Sequence, residues 1–351
     1  MTQTDKPKLK VLVAGGTGYI GSHTVVALQQ HGFDVIVIDN LSNSHSDVIN
    51  RIGKITGTKP EFHEFDLVDR QNTDLFFAQN PDLSGIIHFA AYKSVSESMS
   101  DPLMYYSNNL VSLMNILEGM KNHGIVNLVF SSSCTVYGQP EELPVNESAP
   151  VKAAWSAYGS TKQMSEEIIR FSVHAYGIKT IALRYFNPVG AHASALIGEF
   201  PRGIPNNLAP FITQTAIGLR DHLNVFGSDY NTPDGTAVRD FIHVVDLAEA
   251  HVVAVNRMIE NKTKSDYEIF NLGTGKGYSV LEAIRSFEKV SGRKLKYRFV
   301  DRRPGDIEQV WADTDYANKE LGWKSERSLD DMMDSAWKWE QALAREKVDA
   351  G

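Results

Sequence analysis

The stretch Lys10-Val-Leu-Val-Ala-Gly-Gly-Thr-Gly-Tyr-Ile-Gly21 constrains this chain more than any other. An apolar, β-branched run feeds straight into Gly15, Gly18 and Gly21, and helix-like spacing follows. A pyrophosphate needs bare backbone N–H groups and the positive end of a helix, and side chains at those positions would block its approach. Alone the turn is a weak signal, because glycines also serve close packing between a strand and a helix. Asp39 strengthens it, since a carboxylate ending the second predicted strand can bind both adenosine ribose hydroxyls. The same charge would repel a 2′-phosphate, so the cofactor expected is NAD and not NADP.

Short β-branched runs alternate with longer amphipathic stretches through the first half, the pattern of a parallel sheet wrapped by helices. The runs are Lys10–Val13, Val35–Asp39, Ile86–Ala90, Asn127–Ser131 and Thr180–Arg184. Helices are predicted after Gly18, near Asp69–Gln79, and over Leu103–His123 and Ala157–Tyr176. From Asn187 to Asn207 the chain is rich in Pro, Gly and Asn, which predicts a long shaped loop. Beyond it, short apolar runs (Asn224–Phe226, Phe241–Val245, Glu268–Asn271, Tyr297–Val300) mix with helical stretches (Leu208–Leu219, Leu247–Met258, Leu281–Val290, Leu329–Leu343). The expected architecture is α/β: a Rossmann-type, doubly wound parallel sheet over residues 1–186, then a smaller mixed α/β substrate domain over 187–351. That boundary is soft, because Phe241–Val245 and the helix after it, residues 241–260, could return to the main sheet.

A chain of 351 residues has room for two packed domains or one large α/β unit. A net charge of -8 gives no basic surplus to meet nucleic acid, although a local basic pocket could hold a small phosphorylated ligand. Cys134 is the single cysteine, so no internal disulfide forms, which fits a reducing compartment. Met1 to Lys10 is polar with no apolar stretch, and no segment reaches 18 uninterrupted apolar residues. The cytoplasm is therefore expected, with no membrane partner. His88, His192 and His243 show no metal-ligand spacing, and no metal is expected. A second glycine cluster, Gly273-Thr-Gly-Lys-Gly277, lacks the P-loop spacing and predicts a tight turn.

Tyr158-Gly-Ser-Thr-Lys162 opens a predicted helix, so the two side chains sit one turn apart on one face. A phenol is a poor base near neutrality, with a reference pKa of about 10. An ammonium one turn away, with the positive nicotinamide of NAD⁺, is expected to lower that value and make the phenol a usable base. Tyr and Lys four apart also occur by chance. The serine run Phe130-Ser-Ser-Ser-Cys-Thr-Val-Tyr-Gly138 follows a predicted strand 25 residues upstream of the tyrosine and supplies a hydroxyl to the same place.

With these motifs together the chain resembles the extended short-chain dehydrogenase/reductase family, whose Ser-Tyr-Lys triad matches Ser133, Tyr158 and Lys162. Leu183-Arg-Tyr-Phe-Asn-Pro-Val-Gly-Ala-His192, Gly203-Ile-Pro-Asn-Asn-Leu208, Gly235-Thr-Ala-Val-Arg-Asp-Phe-Ile-His-Val244 and Arg302-Arg-Pro-Gly-Asp306 resemble its UDP-hexose 4-epimerase branch, from about Lys10 to past Trp323. The resemblance implies NAD-dependent, reversible epimerisation of UDP-galactose and UDP-glucose at the sugar 4-position through a 4-keto intermediate. It implies cofactor contacts at Gly15, Gly18, Tyr19, Ile20, Gly21, Asp39, Asn43, Asp66, Leu67, Phe89, Ala90, Lys93, Asn108, Tyr158, Lys162 and Phe186. Asp66 resembles the family position that contacts the adenine, with a plain turn residue as the alternative. Substrate contacts are implied at Lys93, Ser133, Tyr158, Asn187, Asn207, Leu208, Arg239, Arg303, Asp306 and Val310. Arg239 and Arg303 are cations suited to a diphosphate. Val310 holds the position before the Trp of Trp-Ala-Asp, where a small residue in this family admits N-acetylated hexoses. A homodimer through the helices Leu103–His123 and Ala157–Tyr176 is also implied, with Met164, Ile168 and Ile169 fitting an interface or a core.

Three other readings share the fold. A 4,6-dehydratase of the family carries Asp-Glu beside the hydroxyl position, whereas this chain has Ser133-Cys134-Thr135. A decarboxylase would release carbon dioxide. A non-catalytic NAD-binding regulator would tolerate loss of the Tyr158–Lys162 pair, and both are present.

Overall fold

Runs of Val, Ile and Leu four to seven residues long cannot bury a helix face but fill a strand on both sides, and here they do. The computed structural model describes residues 8–303 and 306–349. Most of the polar start Met1–Lys10, and Pro304 and Gly305 of the Arg302–Asp306 motif, lie outside the described residues.

The first part runs β1 (Lys10–Ala14), α1 (Tyr19–Gln30), β2 (Asp34–Asp39), α2 (Asp47–Thr56), β3 (Glu61–Glu64), α3 (Arg70–Gln79) and β4 (Gly85–His88). It continues with α4 (Val95–Ser100), α5 (Pro102–His123), β5 (Asn127–Ser133), α6 (Ala157–Tyr176) and β6 (Lys179–Tyr185). Next come β7 (Asn187–Val189), α7 (Leu208–Ala216), β8 (Leu223–Phe226), β9 (Val238–Arg239), β10 (Phe241–His243), α8 (Val244–Ile259) and β11 (Tyr267–Leu272). The chain closes with β12 (Tyr278–Ser279), α9 (Val280–Ser291), β13 (Tyr297–Val300), β14 (Gln309–Val310) and α10 (Leu329–Asp349).

Seven strands form one sheet in the order β11-β6-β5-β4-β1-β2-β3, every pair parallel. Alternate residues of the strands enter two cores. Val11, Val13, Val35, Val37 and Val129 meet α1 and α8, while Leu12, Ile36, Ile86, Leu128 and Phe130 meet α5 and α6. Each such side chain taken fully out of water contributes about 1.5–3 kcal/mol. The sheet is therefore the doubly wound Rossmann type, as its pattern predicts.

Two details differ from the sequence expectation. Phe241–His243 pairs with Asn187–Val189 in a separate two-stranded sheet and does not join the main one. The seventh strand is instead Tyr267–Leu272, in full register with β6. The helix after β10 does return: Leu247, Ala250 and Val255 of α8 share a core with Val25 and Leu28 of α1. An apolar run declares burial but not its neighbour, so either segment could have taken the edge. The smaller mixed part gathers β8, α7, α9 and α10 around Ile212, Phe287, Met332 and Trp337.

Candidate active site

The strand order places the site. The chain runs outward through β2 and β3, then crosses back to β4, which opens a crevice at the carboxyl ends of β1 and β4. Gly15 leaves β1 there with φ 83°. A Cβ on Gly15 would stand 2.7 Å from the backbone nitrogen of Ala90, so only glycine fits. Gly21 is equally hemmed in, since its Cβ would meet the Gly15 carbonyl at 2.2 Å. These two glycines pack the turn against the sheet. At Gly18 a Cβ would meet only the Gly15 carbonyl oxygen, at 3.3 Å. It caps α1 without a side-chain hydrogen bond, and no acidic residue occupies the helix's first turn. A helix start of that kind suits an anion.

From this turn a cavity of about 520 Å³ runs along the carboxyl edge of the sheet. Its wall includes Gly15, Gly18, Tyr19, Ile20, Gly21, Asp39, Asn43, Asp66, Leu67, Phe89, Ala90, Lys93, Asn108, Tyr158, Lys162 and Phe186, together with Ser133, Asn187 and Asn207. Asp39 is pre-set by its neighbours: Oδ1 accepts from the Leu41 amide at 2.9 Å and the Ser44 hydroxyl at 3.2 Å, and Oδ2 accepts from the Thr17 amide. Asp66 accepts from the Asn40 amide group and from the backbone of Val68. The bare helix start at one end and a fixed carboxylate at the end of β2 together suit an adenine dinucleotide without a 2′-phosphate.

The predicted trio Ser133, Tyr158 and Lys162 comes from two elements, β5 and α6. Ser156 caps α6 by accepting from the Gly159 amide at 3.1 Å, which starts the helix so that Tyr158 and Lys162 project into the cavity. Lys162 is 5% exposed, and its Nζ donates to the Ser131 carbonyl at 2.6 Å while lying 5.9 Å from the Tyr158 ring centre. Burial pulls the ammonium down to about 8, and the carboxylate of Glu166 works against that fall. Among the protein's own groups, burial pushes the Tyr158 phenol up to about 12 and the Ser133 hydroxyl pulls it back in part. The ammonium is turned toward the strand carbonyl, and desolvation of the phenolate outweighs the hydroxyl's help.

On the substrate side the predicted residues divide. Asn187 and Asn207 line the cavity, whereas Leu208, Arg239, Arg303, Asp306 and Val310 are not part of its wall. Arg239 Nη2 and Asp306 Oδ1 are paired with each other at 2.5 Å. Arg303 is exposed, its guanidinium 4.5 Å from the Phe226 ring centre. Val310 is buried in a cluster with Phe186, against which Cys134 packs. Burial lifts the Cys134 thiol to about 12, so it is an inert filler. The second glycine cluster is a turn around a buried carboxylate: Asp240 accepts from the Thr274 and Gly275 amides and from Ala312.

Several wall residues escaped the sequence reading because they arrive from distant segments. Glu199 accepts from Asn207 at 2.6 Å and pairs with Lys93 at 3.3 Å. Arg202 donates to the Ser44 carbonyl, and Arg51 donates to the Leu196 carbonyl at 3.3 Å. These contacts strap the loop after Asn187 across the cavity. No short motif could have revealed them, because Lys93–Glu199, Ser44–Arg202 and Arg51–Leu196 each join residues more than a hundred positions apart.

The comparisons with known proteins agree with this geometry. The GDP-mannose 4,6 dehydratase family model matches residues 12–336. The UDP-glucose 4-epimerase of Bacillus subtilis is 50% identical over 335 residues, 95% of this chain and 97% of that protein. The UDP-glucose 4-epimerase 1 of Oryza sativa subsp. japonica is 49% identical over 94% of each chain. Among solved structures, UDP-glucose-4-epimerase from Stenotrophomonas maltophila, with bound NAD and formylated UDP-arabinopyranose, superposes with a TM-score of 0.92 at 46% identity. That likeness covers 96% of this chain and 99% of the other. The Bifidobacterium longum enzyme in complex with NAD⁺ and UDP gives 0.91 at 44% identity, over 95% and 99%. This chain belongs to the UDP-glucose 4-epimerase family, within the extended short-chain dehydrogenases/reductases.

Proposed function

We propose that this protein is an NAD-dependent UDP-hexose 4-epimerase that interconverts UDP-galactose and UDP-glucose. The observation that carries the reading is convergence: Ser133, Tyr158 and Lys162 face the same cavity as the glycine turn and Asp39. NAD, when bound, supplies a reversible acceptor for the hydrogen on carbon 4 of the sugar. Tyr158 takes the proton of the 4-hydroxyl, Ser133 steadies that oxygen, and Lys162 supplies the positive field that favours the phenolate. The 4-keto hexose then turns about its bond to the diphosphate, and as the hydrogen returns to the other face of carbon 4 the same phenol gives its proton back to the oxygen. Such a turn requires firm anchoring of UDP and loose holding of the sugar. Asn187, Asn207 and Leu208, with Arg239, Arg303 and Asp306 beyond the wall, are assigned to the anchor. The Arg239–Asp306 pair would then open toward the nucleotide.

Residues 1–186 are assigned to the dinucleotide and 187–351 to the UDP-sugar, with α8 and β11 of the later part completing the first. The triplet Ser133-Cys134-Thr135 brings no carboxylate to the site, which disfavours dehydration. Val310, outside the wall but packed in one cluster with Phe186 of the wall, is assigned the part of the pocket that also takes UDP-N-acetylhexosamines. A homodimer through α5 and α6 is supported by the exposure of Leu103, Met114, Met164 and Phe171, while Ile169 is core and Ile168 packs against it. Among the described residues no helix is long and apolar enough to cross a membrane, and the cytoplasm is the proposed location. Incubation with UDP-galactose, and separately with UDP-N-acetylgalactosamine, followed by chromatography of the epimers, tests both parts. UDP-glucose should form from the first. Failure on the N-acetyl substrates with normal UDP-galactose turnover would overturn the Val310 assignment alone.

A further inference from the structure

Three consecutive serines at the end of β5 each hold a different residue of one face of α6. The Ser133 hydroxyl acts on the Tyr158 phenol and pulls it down, and the Ser131 carbonyl accepts from Lys162. The third contact is one the reaction does not use: Ser132 Oγ donates to Glu166 Oε1 at 2.5 Å. Tyr158, Lys162 and Glu166 stand four residues apart, one turn each, so the helix is gripped at three successive levels. Glu166 is further fixed by Arg184 of β6, whose Nε and Nη2 donate to its two carboxylate oxygens at 2.9 and 2.6 Å. Ser132 and Arg184 are paired residues of adjacent strands, so both aim at the same point.

This ion pair is almost wholly out of water, with Arg184 3% and Glu166 9% exposed. Stability alone gives little reason for such a pair, since a well-packed apolar replacement is often neutral or stabilising. Its placement supplies the reason. Lys162 has its own ammonium buried beneath the site, with the Phe130 ring at 5.0 Å, neutral His88 on β4 and Tyr158 beside it. Arg184 in turn is faced by Tyr137, whose ring centre is 4.7 Å away, and by Tyr267 of β11, while Tyr185 of β6 lies near Tyr158. Among these neighbours Glu166 is the anion that acts on Lys162.

We infer that Glu166 is a positioning residue of the reaction: clamped by Ser132 and Arg184, it holds α6 in register with Ser131 and Ser133 and sets its carboxylate one helical turn from Lys162. The inference rests on the epimerase reading. The test is the pH profile of kcat with UDP-galactose on NAD-loaded protein. Glu166→Gln keeps an acceptor for Ser132 but removes the charge, and the alkaline limb should move down by about one pH unit, the scale of a single neighbouring charge. Glu166→Asp keeps the charge and should leave the limb in place even if kcat drops. If Glu166→Gln fails to fold around Arg184, the Glu166→Gln/Arg184→Lys double variant, which keeps a smaller cation opposite the new amide, replaces it, with the limb again lowered. A limb at the wild-type pH in the folded Gln variant, a limb displaced equally by Asp and Gln, or profiles without a limb would overturn the inference. A wild-type protein without epimerase activity would instead sink the functional reading.

Discussion

The phenol of Tyr158, half-buried at the cavity wall, is pushed up to about 12 by desolvation, while the Lys162 ammonium beside it donates to the Ser131 carbonyl. Its use as a base near neutrality therefore requires stabilisation of the phenolate beyond what the Ser133 hydroxyl already gives, and the Lys162 ammonium with a cationic nicotinamide ring is the natural source. Replacing Tyr158 by Phe removes the proton carrier and keeps the ring that fills the wall. The Phe variant should lose about 10²–10⁴-fold in kcat with its dinucleotide content unchanged. Near-normal turnover by that variant would remove Tyr158 from its role.

At the scale of elements, α6 carries the proposed base and its lysine, and its start is capped by one side chain. Ser156→Ala deletes the cap on Gly159 and should cost about 1 kcal/mol in denaturant titration, with kcat changed less than in the Tyr158 variant. An unchanged unfolding midpoint would mean that β5, not the cap, sets where the helix begins. The bounds Ala157–Tyr176 were legible in the sequence because the cap, the apolar spacing and Gly177 at the end are all local signals. The glycine turn and Asp39 were legible for the same reason. Phe241–His243 was not, since the choice between β7 and the main sheet depends on what Tyr267–Leu272 does 26 residues later. Glu199 and Arg202 were equally hidden: a lone charge in a loop carries no period, and its partners Lys93 and Ser44 lie far back in the chain.

On the scale of the whole molecule, buried neutral histidines make the fold sensitive to acid. Burial drives His23 and His88 down to about 3 and His251 to about 4. Their native values lie below the unfolded value of about 6.5, so below that pH the unfolded chain binds more protons. Stability is then lost as pH falls from 6.5 toward 4, by about 1–2 kcal/mol for each histidine at pH 5. Denaturant midpoints at pH 7.5, 6 and 5 should decline in that order, and a constant midpoint would show that these rings are solvated.

The sheet, the strapped cavity and the trio serve a single claim: carbon 4 is oxidised and reduced inside one protein, with its own hydrogen returned to it. Turnover of UDP-galactose in D₂O, with the product read by NMR, tests this directly. The account predicts UDP-glucose carrying ordinary hydrogen at carbon 4, because only the hydroxyl proton exchanges with solvent. Deuterium at carbon 4 would contradict it, since inversion would then proceed by proton removal from carbon.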